Sequence, residues 1–467
     1  MYPRIMIAGT SGDCGKTMVS IGLAAAWKRE GLEIVPFKKG PDYIDAAWLS
    51  HAAGRNAHHL DSWMMGAGGA LRSFKLHAAR TGINIIEGNR GLHDGVDAEG
   101  THSSAALAKL LGAPVALILS ARKMTRTAAA IALGMKALDR DVNIAGILLN
   151  RVANARQEAL LRSAIENETG LSVLGAIPRT DENLLPGRHL GLITPQEHKQ
   201  SERAVNAAAD LICNAIDLKK LRTIAEAAAQ LPDGSVEARV SAARQSARGL
   251  RIGCFCGPAF TFYYPENLDA IDRAGAERVD VDPLKDSALP PVDALYIGGG
   301  FPETHAARLA GNASFRRSIA EMAQRGLPIW AECGGLMFLA QCIHWKGSSY
   351  PMAGFLPVDI ALGDRPAGHG YEEVEADRPN PFVQTGAVLR GHEFHYSQIV
   401  DAGKTATAFG VKRGVGLGNG RDGIVLNRVL ASYLHVHSFA SPDWIRWLTS
   451  AALEYKRERD LGMDFQS

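Results

Sequence analysis

Two clusters of residues in this chain are of types and spacings that could do chemistry. The first is Gly9-Thr10-Ser11-Gly12-Asp13-Cys14-Gly15-Lys16-Thr17, which follows an aliphatic run and opens a helical pattern. Backbone N–H groups in such a loop, together with the helix N-terminus, form a concave anion site. Lysine adds a point charge and threonine a hydroxyl for Mg²⁺. Thr10, Gly12, Gly15, Lys16 and Thr17 are therefore candidates for cradling a nucleotide's phosphates. The first glycine stands one residue earlier than in the strict G-x-x-x-x-G-K-[ST] form, with Thr10 in its place. A bare glycine-rich turn is the plainer alternative, and the strand–loop–helix context argues against it.

The second cluster is Pro328-Ile329-Trp330-Ala331-Glu332-Cys333-Gly334-Gly335-Leu336-Met337-Phe338-Leu339. It reads as a strand, a sharp turn at Cys333 and a helix. A thiol exposed at such an elbow has its pKa lowered by the helix N-terminus, and the Gly334 N–H is offered to an oxyanion. Most lone cysteines are inert and buried, but the two glycines that follow let a substrate approach closely. A nucleophilic thiol needs a base, and Ser432-Tyr433-Leu434-His435-Val436-His437 offers His435 or His437. Ile297-Gly298-Gly299-Gly300-Phe301-Pro302-Glu303 follows another strand, so the Gly299 and Gly300 backbone is a candidate second oxyanion donor. Gly391-His392-Glu393-Phe394-His395-Tyr396-Ser397 is either a ligand contact or a structural hairpin.

Phosphate chemistry also needs carboxylates for a metal, and open α/β sheets put ligands at the carboxyl ends of strands. Two such ends carry acids. One is Phe37-Lys38-Lys39-Gly40-Pro41-Asp42-Tyr43-Ile44-Asp45, and the other is Ile85-Ile86-Glu87-Gly88-Asn89-Arg90-Gly91-Leu92-His93-Asp94-Gly95. Asp42 or Asp45, with Glu87 and Thr17, are the Mg²⁺ candidates; each acid alone could equally be a helix cap or a solvated loop residue. Asn150, ending another strand, either reads an adenine edge or forms a turn. His51, His58 and His59 fit no zinc spacing and are taken as surface or core histidines.

The elements that must position these groups are legible in the hydropathy. Short aliphatic runs at Arg4–Ala8, Glu33–Phe37, Asn84–Glu87, Pro114–Leu119, Ile144–Leu149 and Val173–Ile177 alternate with helical patterns, which predicts a parallel sheet. Val19, Leu23, Ala26 and Trp27 fall on one helical face, and Gly31 is a C-terminal stop. Residues 216–249, rich in Ala, Arg, Gln and Glu with a Pro-Asp-Gly turn at 232–234, read as a linker between domains 1–215 and 250–467. The βα rhythm resumes at Arg251–Phe255, Ala294–Ile297 and Pro328–Ala331. Ala387–Arg390 and Gly423–Leu426 read as antiparallel or edge strands.

With 467 residues, 46% hydrophobic and 21% charged, the chain is globular and large enough for two cores. Lys+Arg 51 against Asp+Glu 49 leaves a net charge of +2, which gives no footprint for non-specific nucleic-acid binding. No apolar run is long enough for a membrane helix, and the six cysteines show no CxxC pairing. A cytoplasmic protein with free thiols is the expectation. Its 49 glycines exceed the usual share of about 7%, as loops that approach ligands closely would require.

In combination and in order, these motifs resemble the glutamine-hydrolysing cobyrinate a,c-diamide synthases over nearly the whole chain. The resemblance implies an α/β fold, with a P-loop dethiobiotin-synthetase-like parallel-sheet domain followed by a class I glutamine amidotransferase-like α/β domain. It implies that Cys333, with His435 as base, releases ammonia from L-glutamine. It also implies that ATP with Mg²⁺ phosphorylates the a and c acetate carboxylates of an anionic tetrapyrrole, which ammonia then converts to amides. Asp94 and Tyr43 would orient the acceptor carboxylate. A homodimer is compatible with the family.

Three positions depart from the commonest pattern: Lys39 where Val is usual, Arg90 within an otherwise more apolar pair, and His93 where an aromatic residue is usual. They add cationic or hydrogen-bonding groups beside the inferred acceptor site. Sirohaem or (nickel-)sirohydrochlorin is therefore an alternative acceptor for the same chemistry. Cobyric acid synthase-type amidation is a further alternative. A P-loop partitioning ATPase would leave Cys333 unexplained, and a stand-alone thiol hydrolase would leave Lys16 idle.

Overall fold

A computed structural model describes residues 2–180, 185, 187–188, 191–231, 247–401 and 405–463. The chain divides into two compact units, Met1–Val236 and Glu237–Ser467.

In the first unit the strands are β1 (Arg4–Gly9), β2 (Ile34–Lys39), β3 (His58–Leu60), β4 (Ile83–Gly91), β5 (Val115–Ser120), β6 (Ile144–Val152) and β7 (Val173–Pro178). They form one seven-stranded sheet in the order β3-β2-β4-β1-β5-β6-β7, parallel throughout. Helices cover both faces of such a sheet, so its strands read as unbroken aliphatic runs; Ile5, Met6 and Ile7 are fully buried. Six of these strands lie where the aliphatic runs put them. Strand β3 was not legible, because it has only three residues, two of them histidines, and is held by pairing Phe37 with His58. β1 lies between β4 and β5, and the chain moves outward on both sides of it. The crevice that binds ligands in such folds opens at the carboxyl end of β1.

Helix α1 (Lys16–Arg29) buries Val19, Leu23, Ala26 and Trp27 as the spacing requires. It stops at Gly31, whose φ is 81°, and Leu32 N–H closes the end on the Trp27 carbonyl. The sheet continues through α2 (Tyr43–Ala53), α3 (Ser62–His77), α4 (Ser104–Leu111), α5 (Thr127–Leu138) and α6 (Ala155–Thr169). Helix α7 (Ser201–Ala215) then packs on α1.

The next segment corrects the sequence reading. Leu218–Glu226, expected to be linker, is a helix, α8, that packs on β1 and β4 of the first unit with Leu221 and Ala225 fully buried. Asp217 caps it by accepting the Lys220 N–H at 2.9 Å. The turn expected at 232–234 lies outside the described residues.

The second unit is built on a ten-stranded mixed sheet. Glu277–Val281, Arg251–Phe255, Ala294–Ile297, Ile329–Glu332 and Val429–Ser432 are neighbours in that order and all parallel. Arg421–Leu426, Ala406–Arg413, Gly368–Ala376, Val388–His395 and His435–Val436 continue it antiparallel. Of the expected antiparallel segments, Gly423–Leu426 falls inside Arg421–Leu426 and Ala387–Arg390 overlaps the start of Val388–His395. The last strand, His435–Val436, follows Val429–Ser432 by only two residues, so the sheet curls back on itself beside the strand that leads to Cys333.

The helix Gly334–Leu339 is anchored by Phe338, whose ring meets Phe255 and Phe260 edge-on at 5.3 and 5.9 Å. Trp330 and Tyr296 pack against Trp444 in a second core cluster.

Candidate active sites

The phosphate loop lies between β1 and α1. Gly15 has φ 99°, and a Cβ there would stand 2.2 Å from Asn150 Nδ2, so the position admits only glycine. That Asn150 nitrogen donates to the Cys14 carbonyl at 2.8 Å, while its oxygen accepts the Arg151 N–H. Asn150 therefore braces the loop from β6. Thr10 N–H donates to the Ile118 carbonyl of β5 at 3.0 Å, which ties down the start of the loop. Gly12 is at its exposed crest. Lys16, 8% exposed, donates to the Ser11 carbonyl at 3.0 Å and so folds back over the cradle it would charge.

Behind the loop is a buried ionic chain. Thr17 Oγ1 donates to Glu87 Oε1 at 2.8 Å, and Lys38 Nζ donates to the same oxygen at 2.8 Å and to Asp45 Oδ2 at 2.6 Å. Glu87 is fully buried at the carboxyl side of β4 and Lys38 is 2% exposed on β2. Burial works against the Lys38 charge, but Asp45, Glu87 and Asp42 outweigh it and hold its pKa above the ordinary lysine range. Burial pushes Glu87 up to about 7, against the pull of Lys38. Asp42 caps α2 by accepting the Ile44 and Asp45 N–H groups through Oδ1, which leaves Asp45 and Glu87 nearer to a metal's requirements. Glu87 Oε2 is buried with no hydrogen-bond partner. A hard-oxygen set with one orphaned carboxylate oxygen fits Mg²⁺. The sequence singled out Thr17 and the acids but missed Lys38, the cation that joins them.

The candidates for holding an acceptor sit on the same strand ends, with one turned aside. Lys39 is 5% exposed, and burial lowers its pKa while Asp61 opposes that fall. Tyr43 begins α2 with its ring edge-on to His59 at 5.8 Å. Arg90 is exposed in a left-handed conformation, φ 47°. Asp94 accepts the Gly91 N–H at 2.8 Å and shapes its own loop. His93 Nε2 lies 3.0 Å from the Met135 carbonyl of α5, which already occupies that nitrogen. Of the other histidines singled out, His58 stacks on His77, His59 faces the Asp42 carbonyl, and His51 faces Glu202.

In the second unit, Cys333 has φ 46° and ψ −95°, the strained turn expected of an elbow, and its N–H donates to the Ser432 carbonyl at 2.7 Å. The thiol is 5% exposed. Its pKa departs from expectation. Burial first, and the Glu303 carboxylate second, push it up against the pull of the Gly334 N–H. Activation therefore falls to a neighbouring base.

His435 opens the short strand that follows Val429–Ser432 by two residues, and its Nδ1 lies 3.4 Å from Glu332 Oε2. A Cβ on Gly299 would meet His435 Cε1 at 2.5 Å, so the Gly299-Gly300 turn lies directly against the imidazole. A Cβ on Gly334 would stand 3.0 Å from the Gly300 N, which places the backbone amides of both oxyanion candidates side by side. The alternative base, His437, is differently engaged. Its Nδ1 accepts the Phe439 N–H at 3.0 Å, its Nε2 faces Glu266 at 3.4 Å, and it is fully buried.

The motif from Gly391 to Ser397 lies behind these groups. His392 stacks on His435 at 4.8 Å and bonds the Tyr264 hydroxyl at 2.9 Å. Glu393 accepts the Val415 and Gly416 N–H groups, and His395 stacks on Tyr433 at 3.6 Å. It is a strand that braces the base.

Comparison with known proteins agrees with this geometry. Residues 5–192 match the CobQ/CobB/MinD/ParA nucleotide-binding domain, and residues 251–443 match the CobB/CobQ-like glutamine amidotransferase domain. A cobyrinate a,c-diamide synthase of Magnetococcus marinus is 41% identical over 449 residues, covering 96% of this chain and 96% of the relative. That of Archaeoglobus fulgidus is 38% identical over 97% of this chain and 98% of its own, and that of Methanothermobacter thermautotrophicus 38% over 97% and 100%. A phosphate cradle and an elbow thiol with its histidine, in the order and over the length of these relatives, make the chain a member of the cobyrinate a,c-diamide synthase family.

Proposed function

We propose that this enzyme uses ATP and L-glutamine to amidate the a and c acetate side chains of cobyrinic acid. The observation that carries this reading is that one chain holds both halves of the chemistry. It has a phosphate loop backed by the Thr17–Glu87–Lys38–Asp45 chain, and an elbow cysteine whose sequence neighbour, Glu332, lies 3.4 Å from His435.

A carboxylate resists attack by ammonia until one oxygen becomes a phosphate leaving group. ATP supplies that phosphoryl group. Lys16 and the loop amides around Gly12 and Gly15 bind the nucleotide's phosphates. Thr17, Glu87 and Asp45, with the free face of Asp42, would hold Mg²⁺, which supplies charge neutralisation to the phosphates when bound. Lys39, Arg90 and Tyr43 would pair with acceptor carboxylates.

In the second unit His435 takes the Cys333 proton, and the thiolate attacks the glutamine carboxamide carbon. The Gly334 and Gly300 N–H groups receive the oxyanion. The carbon–nitrogen bond breaks, His435 returns the proton to the leaving ammonia, and water later cleaves the thioester to glutamate.

The test is a pair of variants assayed with each nitrogen donor. Cys333→Ala is expected to abolish glutamine-dependent amidation and to retain ammonia-dependent amidation. Lys16→Ala is expected to stop both. Loss of ammonia-dependent amidation in a folded Cys333→Ala chain, or retained amidation in Lys16→Ala, would overturn the assignment.

A further inference from the structure

The base of a Cys–His pair works best when a third group fixes its ring, and the position two residues after His435 is His437, which faces Glu266 and accepts from Phe439. We propose that Glu332, the residue immediately before the nucleophile, is the positioning acid for His435, so that nucleophile and acid are consecutive in sequence and serve one imidazole. The proposal rests on the reading of Cys333 as the glutamine-hydrolysing thiol.

Four contacts support it. Glu332 Oε2 lies 3.4 Å from His435 Nδ1 and accepts the Tyr296 hydroxyl at 3.3 Å. Its Oε1 accepts Trp330 Nε1 at 3.2 Å and the Val436 N–H at 3.4 Å. The Tyr296 oxygen in turn accepts from Asn267 at 3.0 Å. Glu332 is fully buried, so its carboxylate is held in one place by donors from three strands rather than by solvent.

A carboxylate at Nδ1 favours the tautomer with hydrogen on that nitrogen. It leaves the Nε2 lone pair to accept the thiol proton and stabilises the imidazolium that forms. The groups facing His435 are then consistent. Glu332 is at Nδ1, His392 is stacked on the ring face, and the Gly299 backbone lies along the Cε1–Nε2 edge.

The experiment compares wild type, Glu332→Gln and Glu332→Asp in the full chain. It measures steady-state glutamine hydrolysis, the pH dependence of Cys333 alkylation by iodoacetamide located by mass spectrometry, and thermal melting. Glu332→Gln, which keeps shape and loses charge, is expected to lower kcat about 100-fold or more while KM for glutamine stays within about threefold. Its alkylation limb should move to higher pH, because the thiolate–imidazolium pair loses its counter-charge. Glu332→Asp should recover part of kcat and of the limb.

A folded Glu332→Gln with wild-type kcat and alkylation profile would overturn the proposal. So would equal losses in both variants with an unmoved limb, which is the signature of a packing defect. An active wild type with unaltered variants sinks this inference alone, whereas a wild type that hydrolyses no glutamine sinks the parent reading with it.

Discussion

Lys38 is a cation with almost no access to solvent, placed between Glu87 and Asp45. A charge in that position is tolerated only because its partners are charged too, and removing it leaves Glu87 buried, and Asp45 partly buried, without compensation. Lys38→Met is therefore expected to destabilise the first unit by about 3–5 kcal/mol, read as a lower melting temperature, and to stop amidation with either nitrogen donor. A variant that melts like the wild type would show the carboxylates neutralised by other means. Such residues resist a reading from sequence. Lys16 and Cys333 are marked by glycines within a few positions of themselves. Lys38 meets Glu87 across 49 residues, and Glu332 meets Val436 across 104. Nothing local marks either one as paired. Asn150 shows the converse case, because its position at a strand end was legible while its hydrogen bond to the Cys14 carbonyl was not.

Among the secondary-structure elements, the parallel strands were legible because burial on both faces demands continuous aliphatic runs, a signal carried by each strand on its own. Helix α8 was hidden by composition. Surroundings rich in Ala, Arg, Gln and Glu suggested a linker, although Leu218, Leu221 and Ala225 recur at helical spacing behind the Asp217 cap. The curl of the second sheet was hidden for a different reason. Pairing of His392 with His435 is a long-range register that no single strand announces. Because α8 covers β1 and β4, the strands that carry the phosphate loop and Glu87, its packing supports the site from below. Leu221→Ala removes a fully buried side chain from that contact and is expected to cost about 2–5 kcal/mol, measured as a lower denaturant midpoint. A midpoint equal to that of wild type would mean that α8 covers the sheet without stabilising it.

At the scale of the whole molecule, the remaining choice is the acceptor, and net charge does not make it: +2 over 467 residues provides no general attraction for an anionic macrocycle. Discrimination must therefore come from local groups at the ends of β2 and β4. Two of the three residues that depart from the family's usual pattern are placed to act there. Arg90 is exposed and can meet a large polycarboxylate, and Lys39 lies deeper beside Asp61. The third, His93, already bonds the Met135 carbonyl, which weakens the argument for an acceptor with a different carboxylate pattern. Cobyrinic acid, sirohaem and nickel-sirohydrochlorin, incubated in parallel with ATP and glutamine, separate the possibilities by mass, since each amidation replaces a hydroxyl by an amino group. Cobyrinic acid is expected to gain two amides, with the other two unchanged. Arg90→Ala should raise KM for the macrocycle while leaving glutamine hydrolysis intact, because it acts at the acceptor and not at the thiol. Amidation of sirohaem or nickel-sirohydrochlorin in preference to cobyrinic acid would reverse the acceptor assignment and leave the nitrogen-transfer chemistry standing.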